Sequence, residues 1–133
     1  MKNYTSYDLI EWGKPFEKSQ HALPEPTLSE VLIRVTAAGL CHSDLHVQKG
    51  YMDLGEEGRL TFAERGAQLP MTFGHEIAGI VEAIGDKVKN VSIGQQVIVF
   101  PWIGCGDCLA CNEDRESDCS AMRIIGLKQK GGF

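Results

Sequence analysis

No apolar run in these 133 residues approaches the length needed to cross a bilayer. The N-terminus, Met1-Lys2-Asn3-Tyr4-Thr5-Ser6-Tyr7-Asp8, lacks the apolar stretch of a secretory signal. Positive charge is not in excess: 13 Lys and Arg face 18 Asp and Glu, for a net charge of −5. That balance argues against a nucleic acid or an anionic membrane as partner. No G-x-G-x-x-G follows a strand, so nothing in the chain cradles a dinucleotide pyrophosphate. Histidine is scarce, with four in the chain. What is present, 43% hydrophobic and 23% charged residues, is ordinary for one soluble globular domain able to bury a core.

The five cysteines are unevenly placed. Without an export signal they point to a reducing compartment, the cytoplasm, and to metal rather than disulfides. Cys105, Cys108, Cys111 and Cys119 follow the spacing C-x2-C-x2-C-x7-C. Four thiolates at turn spacing can close a tetrahedron around zinc, and a closed site leaves no room for substrate, so this is a structural site. An iron–sulfur cluster is the chemical rival. Gly104 and Gly106 permit the tight loop. Asp107, Glu113, Asp114, Glu116 and Asp118 crowd a site already negative, with Arg115 the sole nearby cation; backbone N–H groups are expected to offset this.

Two further stretches carry chemistry. Gly74-His75-Glu76-Ile77-Ala78-Gly79 sets an imidazole and a carboxylate at the head of a strand-like run, where both need partners. Alone, it reads as a hydrogen-bonded histidine at a strand end. Cys41-His42-Ser43-Asp44-Leu45-His46 opens a short helix over residues 42–48 that stops at Gly50. His46 shares a helix face with both His42 and Ser43. Cys41 sits at the helix N-terminus, where the dipole favours a thiolate, although a buried cysteine before a polar turn reads equally well in isolation.

The remaining pattern is mostly β. Residues 4–16 read as an edge strand or hairpin, and Pro24-Glu25-Pro26 as a stiff link. Val31, Ile33 and Val35 alternate through a strand over residues 30–40. Residues 51–73 are broken by Gly55, Gly58 and Gly66, with a short helix expected over 60–67. Leu60, Phe62, Leu69 and Trp102 are expected near a substrate entrance, a solvated surface loop being the other reading. Glycine turns follow at 85–91 and 92–95, then a short strand over 96–100. Strands at this spacing suggest a small barrel or sandwich.

Taken together, the three motifs resemble the N-terminal, GroES-like half of zinc-dependent medium-chain alcohol dehydrogenases. Gly74-His75-Glu76 with Gly79, Gly85 and Val88 resembles that family's zinc signature. Cys41-His42-Ser43-Asp44 resembles the loop with its first catalytic ligand, and the four later cysteines its structural-zinc lobe, here residues 101–122. Ile125-Gly126-Leu127 and Gly131-Gly132-Phe133 resemble family sequence beyond that lobe. The implied fold is mainly β with short helices, a GroES-like partly open barrel with a zinc lobe. The resemblance implies that Cys41 and His75 bind catalytic zinc, with Glu76 behind the metal or a transient ligand. Asp44 would accept a hydrogen bond from the free nitrogen of His75. Ser43 would take the alcohol's proton and pass it toward His46 and water.

The resemblance also implies what lies outside residues 1–133: the Rossmann half that binds NAD or NADP, and the third protein ligand of catalytic zinc. Residues 1–133 are accordingly expected to be an incomplete N-terminal domain. Gln95 stands where the family often has aspartate, and residues 51–73 are longer than its usual spacing. Two functions are expected. One is part of an enzyme that oxidises a small alcohol to an aldehyde or ketone, homo-oligomeric when complete. The other is a zinc-binding module without catalysis of its own.

Overall fold

The computed structural model describes residues 2–133. Ten strands and two short helices make a mainly β chain. They are β1 (Asn3–Leu9), β2 (Glu17–Ala22), β3 (Val31–Gly39), α1 (His42–Lys49), β4 (Tyr51–Asp53), β5 (Arg59–Thr61), β6 (Met71–Thr72), β7 (Glu76–Ile84), β8 (Gln96–Val99), β9 (Trp102–Ile103), α2 (Leu109–Asn112) and β10 (Arg123–Ile124). They fall into four sheets, ordered β2-β1-β6, β3-β7-β8, β4-β5 and β10-β9, and among the described residues no sheet closes into a ring.

The β3–β7–β8 sheet forms where the sequence is richest in β-branched residues. Ile77, Gly79 and Val81 of β7 face inward, and Val81 is 1% exposed. At Gly79 a side chain would strike Ile33 Cγ2 at 2.5 Å and the Arg34 carbonyl at 2.6 Å, so a glycine is required where β3 crosses close. The antiparallel ladder ends by pairing Gly39 with Glu76. This last pair places the functional groups described below.

The core lies between β1, α1 and the segment before β7. Leu9, Val47, Phe62 and Phe73 are buried together, with Trp12, Phe16, Met52, Leu69, Met71, Leu127 and Phe133 packed around them. Residues 51–73 are part surface loop, exposed at 53–59 and 63–66, and part core, with Phe62 and Phe73 buried. They fold as a β4–β5 hairpin that pairs Tyr51 with Thr61 and delivers Phe62 to the core. No helix forms over 60–67: β5 occupies Arg59–Thr61, and a tight turn follows in which Ala67 N–H donates to Phe62 C=O. Burying one phenylalanine, worth about 2–3 kcal/mol, outweighs the weak helix preference of a short window flanked by Gly58 and Gly66.

A buried polar network holds the β2-β1-β6 sheet. Ser6 and Thr72 hydroxyls donate to Asp8 Oδ1 at 2.9 and 2.6 Å, and His21 Nε2 lies 2.9 Å from Oδ2. Lys130 Nζ stands 2.9 Å from the other ring nitrogen of His21. Burial pushes the Asp8 carboxyl up, but hydrogen bonds from Thr72, Ser6, His21 and Ser19 more than offset it and hold it at about 2. Alternation alone gave no sign of this network, because a buried aspartate interrupts the apolar face.

Candidate metal centres

Helix α1 begins directly after β3. Cys41 is its N-cap, in extended conformation (φ −117°, ψ 175°), and its backbone N–H donates to Asp44 Oδ2 at 2.9 Å. The helix ends at Gly50, whose φ of +90° lets its N–H reach the carbonyls of His46 and Val47. Both boundaries match the sequence reading to within one residue.

Because the ladder ends at Gly39 and Glu76, Cys41 and His75 lie just beyond the ends of two facing strands. Cys41 Sγ is 3.3 Å from His75 Nε2. A thiolate and an imidazole on one tetrahedral zinc stand about 3.6 Å apart, so the pair fits a shared metal. His75 Nδ1 faces Asp44 Oδ1 at 3.6 Å, longer than a hydrogen bond, and the Asp44 side chain is 2% exposed. Cys41, Asp44 and His75 offer donor atoms within 4.8 Å of one another. Asp44 thus meets both groups, one carboxylate oxygen accepting the Cys41 N–H and the other facing His75 Nδ1.

Glu76 is exposed and lies outside this group of donors; its carboxylate packs over Gly39, where no side chain leaves room for it. Ser43 is exposed and His46 half-buried. The His46 ring meets His42 edge-to-face, with centroids 4.5 Å apart, as their shared helix face requires.

Beside His75 opens a cleft of about 490 Å³, walled by Glu76, Ile77, Ile98, Val99, Phe100, Pro101 and Trp102. Trp102 lines this cleft, whereas Leu60, Phe62 and Leu69 do not. Ile98 and Phe100 escaped the sequence reading. Their signal was the two-residue spacing at the end of the apolar run: Ile98 lies in β8, paired with β7, and Phe100 directly follows that strand.

The second centre is a loop closed at its base by β9 pairing with β10. Cys108 Sγ lies 3.5 Å from Cys111 Sγ, and Cys105 Sγ 3.9 Å from Cys111 Sγ. Four sulfurs about 2.3 Å from one zinc stand about 3.8 Å apart, so the set has single-ion dimensions. All four donors lie within 4.8 Å of one another, too tight to span a four-iron cube. At Gly104 a side chain would meet Cys111 Sγ at 2.5 Å.

Backbone N–H groups do face the sulfurs. Cys105 N–H points at Cys119 Sγ at 3.4 Å. N–H groups of Asp107 and Cys108 hold the Cys105 thiol down at about 6. At Cys111 the Gly106 N–H pulls the same way, but burial and the thiols of Cys108, Cys119 and Cys105 push it up to about 12. Four thiolates this close need a cation between them. Arg115 does not serve, since its guanidinium is taken by Glu113 and Asp118, each at 2.6 Å.

The alcohol dehydrogenase GroES-like domain profile matches residues 27–133. An NAD-dependent alcohol dehydrogenase from Sulfurisphaera tokodaii is 41% identical over 126 residues, covering 94% of this chain and 35% of its own length. The alcohol dehydrogenase of Aeropyrum pernix superposes with a TM-score of 0.81 at 29% identity, over 97% of this chain and 35% of that one. The D-arabinose dehydrogenase of Sulfolobus solfataricus superposes with a TM-score of 0.78 at 31% identity, over 100% of this chain and 36% of that one. The chain spans about a third of the length of the curated relatives it matches.

Proposed function

The chain belongs to the alcohol dehydrogenase GroES-like domain family, and from that premise we propose that it is part of a zinc-dependent, NAD(P)-dependent alcohol dehydrogenase that oxidises an alcohol to an aldehyde or ketone. Residues 1–133 lie within its N-terminal domain, with the structural-zinc lobe at 101–122. The observation that carries this is the meeting of Cys41 and His75 above Asp44, at the mouth of an apolar cleft.

When bound, zinc supplies Lewis-acid acidification of the alcohol's hydroxyl and a nicotinamide supplies the hydride acceptor. This chain's residues do the rest of what falls to it. Cys41 and His75 would hold the metal, and Asp44, facing His75 Nδ1, would favour the tautomer that leaves Nε2 toward Cys41. The apolar side chains of Ile77, Ile98, Phe100 and Trp102 would receive the carbon skeleton. The Ser43 hydroxyl takes the alcohol's proton and hands it toward His46. Glu76, one residue from the ligand, is a reserve carboxylate for the metal. Cys105, Cys108, Cys111 and Cys119 hold a second, closed zinc. The reading places the protein in a reducing compartment such as the cytoplasm, as a homo-oligomer; no helix among the described residues is long and apolar enough to cross a membrane.

The test is the full-length protein, assayed for nicotinamide reduction with a panel of alcohols while zinc is measured in the same samples. Activity that disappears with one zinc per chain in Cys41→Ser supports the reading. A full-length protein that holds zinc at both centres yet oxidises no alcohol would leave the non-catalytic zinc module as the function.

A further inference from the structure

The stretch Gly131-Gly132-Phe133 has no place in the chemistry above, yet it is bound to the segment that presents His75. Gly131 N–H donates to Thr72 C=O at 2.8 Å, Phe133 N–H to Phe73 C=O at 3.0 Å and Gly132 N–H to Gly74 C=O at 3.0 Å. On its other side, Phe133 C=O accepts Tyr7 N–H at 3.2 Å, so the strap is wedged between β1 and the approach to His75.

The fit is close at each residue. A side chain at Gly131 would collide with the carbonyl oxygens of Gly74 and Phe73. One at Gly132 would meet Ile77 Cγ1 at 2.7 Å. The Phe133 ring occupies the space a side chain at Gly74 would need, 2.6 Å from that Cβ position, and meets Phe16 edge-on with centroids 6.0 Å apart. Gly74 has a φ of +89°, and its carbonyl is half of the peptide that joins it to His75. The direction of that peptide sets the direction in which His75 leaves the backbone. A glycine is free to turn there, and the strap removes the freedom.

From this geometry we infer that Gly131, Gly132 and Phe133 are positioning residues for the His75 ligand, an inference that rests on the reading of His75 as a metal ligand given above. Asp44 holds the imidazole from the ring side. The strap holds the same residue from its backbone. A metal ligand must be held within about 0.5 Å of its productive position, and loss of a supporting contact typically costs about 10–100-fold in metal affinity.

The experiment uses the full-length protein with cobalt(II) in place of zinc, titrated against a chelator. The four-cysteine centre serves as an internal reference through its sulfur-to-metal absorption. Phe133→Ala should weaken cobalt at the Cys41–His75 centre about 10–100-fold and shift its visible bands, leaving the four-sulfur absorption unchanged. Phe133→Leu should recover most of the affinity. Val81 is buried further along β7, paired with Ile33 and away from the strap, so Val81→Ala should lower the melting temperature and leave the affinity alone. Wild-type affinity and bands in Phe133→Ala, or an equal loss in Val81→Ala, would overturn the inference. If Phe133→Ala does not fold, Phe133→Leu decides the question: a measurable shift in the Cys41–His75 bands supports the inference, and wild-type bands overturn it. His75→Ala tests the premise separately. If it keeps the second cobalt, the reading of His75 falls. If it loses that cobalt while Phe133→Ala keeps it, only the positioning role falls.

Discussion

Cys41 Sγ and His75 Nε2 stand 3.3 Å apart although 34 residues separate them in the chain. The β3–β7 register makes this contact, and Asp44 braces it by accepting the Cys41 N–H at 2.9 Å while facing His75 Nδ1. One buried carboxylate thus supports both groups. Asp44→Asn keeps the shape and removes the charge. It should weaken metal at this centre about 10–100-fold, with Cys41→Ser and His75→Ala weakening it further. Chelator competition on the full-length protein measures this; unchanged affinity in Asp44→Asn would show the carboxylate to be a helix cap only.

The lobe between β9 and β10 has little apolar content of its own, and Leu109 is 70% exposed. Metal rather than burial should hold it, with apparent binding energy on the order of 10 kcal/mol. Cys108→Ser should release one tightly held zinc and open residues 101–122 to protease. Equal cleavage rates in the two proteins would mean that the lobe holds itself.

Ser43 is the small hydroxyl beside Cys41, and His46 lies one helical turn further on. Ser43→Ala should lower turnover about 10²–10⁴-fold, the usual loss for a positioned proton-transfer group. His46→Gln should cost less, because water can replace it, and should alter the pH–rate profile. Zinc content should be unchanged in both. Full turnover in a zinc-replete Ser43→Ala enzyme would remove the relay.

Asp8 makes stability depend on acid. Its folded pKa of about 2 lies below the ordinary 3.8, as burial is outweighed by bonds from Thr72, Ser6, His21 and Ser19. A depressed pKa contributes stability that is complete above the unfolded value and is lost as pH falls through the folded one. The loss should therefore run from about pH 4 to about pH 2 and amount to roughly 2 kcal/mol. Thr72→Val, which removes the 2.6 Å bond, should cost on the order of 1 kcal/mol at neutral pH and shrink the acid-dependent loss. Urea melts between pH 2 and pH 6 read both; identical acid slopes in the two proteins would exclude Asp8 as their source.

Much of the local chemistry was legible because it is written in short spacings. The C-x2-C-x2-C-x7-C set, the helix opened by Cys41 and stopped by Gly50, and the alternating strands before and after it all depend on neighbours within a few residues. The helix expected over residues 60–67 failed, and the core role of Phe62 was missed, for the converse reason. The glycines and charges of residues 51–73 look like a loop, whereas Phe62 and Leu69 act through contacts with Leu9, Val47 and Phe73, distant in sequence. The Asp8 network was invisible on the same ground, its partners lying on three strands.

The sequence by itself determined the candidate donor types, the spacing of the four cysteines and the mainly β class, since residue chemistry and periodicity are local properties. Only the tertiary structure decided which donors meet. The pairing of Gly39 with Glu76 brings Cys41 to His75, and the strap at 131–133 aims the peptide behind it. Register and long-range hydrogen bonds depend on how the whole chain packs, and no short window of residues contains them.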